Sequence, residues 1–159
     1  MPAALVRLGT LVLLLQTGVA RAQIGSPPDP ECAKLLPAAE VEKLAGAKPL
    51  AIVGRFQVPN AGGSCNYVKE GKNLVLLVTL ERGAGPGALD RYKDQAKYVG
   101  GAKPLPGVGD EAFRAKGMAG FRKGMTIVSL GSFFDLRTGK AFLTDDQLAA
   151  IAKAIATKL

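Results

Sequence analysis

No histidine occurs anywhere in the chain. That removes the side chain whose unperturbed pKa suits acid–base work near neutral pH, and with it the usual serine and cysteine triads. Histidine-containing zinc, copper and haem sites go too. Cysteine is scarce: only Cys32 and Cys65 are present, without the CxxC spacing of a redox pair. No apolar run near the N-terminus reaches the roughly 20 residues of a spanning helix, because residues 8–15 stop at Gln16-Thr17-Gly18. Basic residues never run longer than Arg122-Lys123, and no segment repeats. A scattered basic excess describes a solvated surface rather than a nucleic-acid track.

What is present begins with a leader. Residues 1–7 carry one positive charge, Arg7, and no acid; residues 8–15 are almost wholly apolar; Ala20-Arg21-Ala22 places a small-x-small site before Gln23. This pattern predicts a secretory signal peptide over 1–22 and export to the periplasm or the extracellular medium. Gly18-Val19-Ala20 offers a cut two residues earlier. No cysteine follows closely enough to carry a lipid, so the mature chain is expected to be soluble, with no stable membrane insertion. Of the 21 Lys and Arg, cleavage removes Arg7 and Arg21, which leaves 19 against 13 acidic residues, or about +6. A chain of this size supports one domain with a single core. On the oxidising side of a membrane the two cysteines are expected to pair, Cys32 with Cys65. The link would close a loop of about 34 residues, worth roughly 3–4 kcal/mol.

Residues 23–31 include Gly25-Ser26-Pro27-Pro28-Asp29-Pro30, the composition of a disordered linker. The domain is expected over 32–159. Leu35, Leu36, Val41 and Leu44 mark a short helix, with Pro37 in its first turn and Gly46 at its end. Residues 47–61 read as a long loop with room for a short strand around 55–58. Ser64–Lys69 and Asn73–Arg82 read as strands joined by Glu70-Gly71-Lys72. In the second, Leu74, Leu76, Val78 and Leu80 form one apolar face and Val75, Leu77, Thr79 and Glu81 a mixed one, as in a sheet covered on one side. Residues 88–98 have helical spacing, and 111–116, 118–122 and 125–130 read as strands. The last helix is the clearest: Thr144 and Gln147 form a capping box. Leu148, Ile151, Ala152, Ile155, Ala156 and Leu159 make an apolar stripe behind it. The expected class is α+β, an antiparallel sheet covered by helices.

Few residues offer chemistry. Gly107-Val108-Gly109-Asp110-Glu111-Ala112 fits the loose GxGxxA pattern, but dinucleotide binding needs a strand before it and a helix after it. Here prolines precede it and a strand follows. Asp110 and Glu111 are neighbours on a strand, point to opposite faces and cannot converge as a glycosidase pair. Ser64, Ser129 and Ser132 lack an SxxK spacing. No catalytic residue, cofactor or metal site is therefore expected. Phe133-Phe134, between Gly131-Ser132 and Asp135, is the candidate partner surface if it stands at a loop or strand edge. Alternation instead buries one ring and sets the other under Leu136 or Phe142.

The order of these features resembles a family of small exported bacterial domains of unknown function, many of them lipoproteins. The resemblance is carried by a cysteine before Leu35-Leu36-Pro37-Ala38-Ala39-Glu40-Val41, by Ser64-Cys65-Asn66-Tyr67, and by Leu105-Pro106-Gly107-Val108-Gly109-Asp110-Glu111-Ala112. The Arg122-Lys123-Gly124 hairpin and the Leu143-Thr144-x-x-Gln147-Leu148 helix complete it. It implies a paired Cys32–Cys65 and an α+β sandwich, and it brings no catalytic residues. The lipid-bearing cysteine is missing here. The expectation is an exported non-enzymatic module that binds an envelope protein or small ligand, and no nucleic acid. The alternative is a small secreted hydrolase using serine–lysine or carboxylate chemistry.

Overall fold

The computed structural model describes residues 30–46, 50–55, 63–69 and 73–159. The expected signal peptide and residues 23–29 of the expected linker lie outside them. Two short helices open the described chain, α1 (Pro30–Leu35) and α2 (Ala38–Ala45). The sequence pattern predicts one helix here. Pro37 divides it, standing in extended geometry at the start of α2 (φ −58°, ψ 147°), because proline disfavours a helical residue before it. Gly46 ends α2 in the left-handed region at φ 67°. Helix α1 begins within the stretch expected to be linker.

Seven strands follow: β1 (Leu50–Arg55), β2 (Ser64–Lys69), β3 (Asn73–Arg82), β4 (Lys103–Pro104), β5 (Glu111–Ala115), β6 (Met118–Lys123) and β7 (Thr126–Ser132). They form one antiparallel sheet in the order β1-β2-β3-β7-β6-β5-β4. Helix α3 (Asp90–Ala96), prolonged by a 3-10 turn over Lys97–Val99, carries the chain from the centre to the far edge. Of the stretch 47–61 expected to be mainly loop, residues 50–55 form strand β1, where Ile52 and Val53 are β-branched. Residues 56–58 of the short strand expected around 55–58 lie outside the described residues. Strand β4 was not expected; two residues leave no periodicity to read.

Register places the core. Cys65 faces Val78 and Val78 faces Leu130; Leu80 faces Val128 and Val128 faces Phe121. These side chains are buried on one face, beneath α4 (Asp145–Ala156) and α2. All five buried residues of α4, Leu148, Ile151, Ala152, Ile155 and Ala156, belong to the expected stripe, and both halves of the capping box are formed. Gln147 also donates from Nε2 to the Ala45 carbonyl (2.9 Å), and so ties α4 to the end of α2. Lys123 donates to the Ala156 carbonyl (2.8 Å) at the C-terminal, negative end of the α4 dipole.

Two features depart from simple alternation. Tyr67 faces Leu76 while Val68 faces Leu74, so Val75 is the extra residue of a bulge. Val75 and Leu76 are both buried as a result, and Leu74 is not. The opposite face is also covered in part. Leu89 and Ala96, from the α3 segment, pack with Phe113, Ala115 and Ile127 in a second cluster. The expectation of cover on one side only is therefore corrected. Strand β3 suggested it because the α3 cluster draws on β5 and β7 rather than on β3. Gly120 makes this packing possible: a Cβ there would stand 2.7 Å from Cε1 of Phe113.

Candidate functional site

The β5–β6 turn, Lys116-Gly117, is fixed from three directions. The Gly117 amide donates to Oδ1 of Asp145 (2.9 Å), and the Gly117 carbonyl accepts from the Ser132 amide (2.8 Å). The Phe134 ring lies over the same glycine, with Cζ 3.9 Å from where a Cβ would be. Across from the turn, the chain leaving α3 passes through Tyr98 and Val99. It reverses at Gly100 and Gly101, whose φ values of 102° and 84° favour residues without a side chain. The Gly101 amide closes this reversal on the Ala96 carbonyl (2.9 Å).

Between the two walls run adjoining hollows of about 540 and 580 Å³ that share Val99, Gly100 and Lys116. One is polar, with Lys103, Arg114, Lys116, Asp145 and Asp146 on its walls. The other is apolar, with Tyr98, Met118 and Phe134. Tyr98 is 92 % exposed and Phe134 46 %. Large, unburied aromatic side chains beside lysines make the groove amphipathic.

Of the expected pair, Phe134 therefore stands on the groove. Its backbone bridges Ala141 at the edge of the fold. Phe133 is half-buried and serves the backbone: its amide donates to the Val75 carbonyl (3.1 Å), and its carbonyl accepts from the Phe142 amide (2.8 Å). Leu136 is fully exposed, so neither ring sits beneath it. Tyr98, Val99, Lys103, Lys116 and Met118 were not singled out from sequence. The one local sign was Tyr98-Val99, two large apolar residues set immediately before Gly100-Gly101.

The residues with chemical potential lie elsewhere or are engaged. Ser132 also lines the apolar hollow, but its Oγ accepts from the Leu143 amide (3.1 Å) and faces the Phe133 and Leu143 carbonyls. Ser64 and Ser129 both face Thr79, on neighbouring strands and away from this groove. Asp110 accepts from Arg122 Nη1 (3.0 Å) and the Gly124 amide (2.7 Å), and so pins the β6–β7 hairpin. The GxGxxA stretch is a turn running into β5 rather than into a helix. Its Gly109 has φ 60°, and a Cβ there would lie 2.4 Å from the Arg122 carbonyl oxygen. Glycine here answers a backbone approach between strands.

Cys65 is fully buried on β2, where the α1 segment packs. Among the described residues, no group of three His, Cys, Asp or Glu is placed to hold a metal ion. No helix among them is long and apolar enough to cross a membrane. No protein-family model matches the chain, and no curated protein is significantly similar to it.

Proposed function

We propose that the chain is the precursor of an exported, non-enzymatic binding module that holds a polypeptide segment of a partner in the groove around Lys116-Gly117. The observation that carries this reading is the joining of the two hollows. A charged half and an apolar, aromatic half meet at a turn locked by Asp145, Ser132 and Phe134. A preformed surface loses little ordering entropy on binding, and aromatic side chains dominate binding energy where they are buried by a partner. The leader-like residues 1–22 support export, and the kinship with two-cysteine exported bacterial domains rests on motif order. Pairing of Cys32 with Cys65 belongs to the same proposal. It is supported by the packing of α1, which carries Cys32, on β2 and β3.

The hydrolase alternative draws less support, because Ser132, the serine on the groove wall, is held by backbone groups. Panning a random-peptide display library on the mature chain tests the reading. Selected peptides should bind at least about ten-fold more weakly to the Tyr98→Ser and Phe134→Ser variants. They should bind unchanged to Lys153→Glu, an exposed change on α4. A library that yields no binder, or binders indifferent to Tyr98 and Phe134, would overturn it.

A further inference from the structure

We infer that the occupant of this groove is an acidic polypeptide segment, with carboxylates at Lys103, Arg114 and Lys116 and an adjoining apolar residue between Tyr98, Met118 and Phe134. The inference rests on the binding reading above and adds the chemistry of the ligand. The two acids of the polar half are already engaged. Asp145 accepts the Gly117 amide and Asp146 faces Arg114 Nη1 (3.2 Å). Lys103 and Lys116 have no acidic partner among the described residues. Arg114 turns one of its five N–H donors to Asp146, and its remaining donors are available. The polar half sets three cations, Lys103, Arg114 and Lys116, against two carboxylates, Asp145 and Asp146, so its net charge is positive, and it lies next to exposed apolar surface.

The backbone of the groove decides how such a segment is held. Strand β4 is the sheet edge on this side, and its second residue is Pro104, which has no amide to offer. An incoming chain therefore gains little by adding as a further strand to this edge, and recognition falls to side chains. Gly100 and Gly101 leave the approach to Lys103 open, with no atom within 4 Å of a Cβ built at either. Charges on the rim of an interface act chiefly on encounter rate and selectivity, while the aromatic side chains supply most of the affinity.

Fluorescence anisotropy with two labelled ten-residue peptides tests this on the mature chain. Both share a Phe-Leu centre; one carries four Glu beside it and the other four Lys. The Glu peptide should bind at least about ten-fold more tightly, the sum of several exposed charge contacts, and its affinity should fall with salt. The Lys103→Glu/Lys116→Glu double variant, which alters only exposed side chains, should abolish that preference. Phe134→Ser should weaken the Glu peptide while leaving its dependence on salt.

Equal binding of the two peptides, or a preference that survives the double charge reversal, would overturn the inference. So would displacement of the Glu peptide by phosphatidylglycerol vesicles that themselves bind through Lys103 and Lys116, since the groove would then serve a lipid surface. If neither peptide binds while display still selects others, the acidic ligand is wrong and the binding reading stands. If display also yields nothing, the binding reading itself fails.

Discussion

Tyr67 shows how one buried polar group ties a peripheral segment to the sheet. Its ring is fully buried on β2 and its hydroxyl donates to the Leu36 carbonyl, at the junction between α1 and α2. Burial is the larger cause that raises its pKa above the ordinary 10.0, and the nearby Glu40 charge adds to it. The raised value makes stability depend on pH in one direction. Below pH 10 the phenol is protonated in both states and its contribution is complete. As pH rises further, the unfolded chain loses the proton while the folded chain keeps it, so stability falls by up to about 1.4 kcal/mol per pH unit. Denaturant titrations between pH 8 and 11.5 should show this loss for the native sequence, and Tyr67→Phe should flatten it. At neutral pH the same variant should cost about 1–3 kcal/mol, because the Leu36 carbonyl loses its donor. An unchanged alkaline slope in Tyr67→Phe would show that the hydroxyl is not held as described.

At the scale of elements, α4 is where sequence and packing agree best. Its capping box, acidic first turn and apolar stripe are local, and a helix with a strong stripe needs only a surface to cover. That surface is the face of β5, β6 and β7. Ile151 and Ile155 are buried there, whereas Lys153 faces solvent. Truncating either isoleucine to alanine should cost about 2–5 kcal/mol in thermal or denaturant unfolding, and Lys153→Ala should stay within about 0.5 kcal/mol. Similar losses at all three positions would contradict the packing. Strand β3 is the contrasting element. Its alternating leucines were legible, but the bulge at Val75 was not, since it arises from pairing with β2 rather than from any residue in β3 itself.

For the whole molecule, the seven-stranded sheet holds distant parts of the chain through a few cross-links. Lys158, near the C-terminus, donates to the Leu35 carbonyl (2.9 Å) and pairs with Glu40, so the last helix and the first two close on one another. The proposed Cys32–Cys65 bond would fix α1 to the sheet in the same region. On the proposed export and pairing, intact-mass measurement of the protein recovered outside the cytoplasm should give a chain starting near Gln23, two hydrogens lighter than the reduced form. It should take up thiol reagent only after reduction. Reduction should lower stability by roughly 3–4 kcal/mol if the bond is unstrained. Two titratable thiols in the native exported protein would refute the pairing.

The features readable from the sequence are those carried by neighbouring residues. The caps and stripe of α4, the β2–β3 pair, the strands of the β5–β7 meander and the lack of histidine each depend on local spacing or on composition alone. Phe134 could be named as one of two candidates because Gly131 and Asp135 bracket it. Its exposure could not be assigned, since alternation does not say which of the two rings turns outward; Phe133 is half-buried rather than part of the core. The groove lay beyond reach for a stronger reason. Tyr98, Lys103, Lys116, Met118 and Asp145 come from four segments, and only the antiparallel order β7-β6-β5-β4 brings the end of α3, the β5–β6 turn and the start of α4 to one edge. The second apolar cluster has the same origin, because Phe113 and Ile127 share a face only once β5, β6 and β7 are in register. Local spacing determined most of the elements, and long-range pairing decided which of their side chains meet.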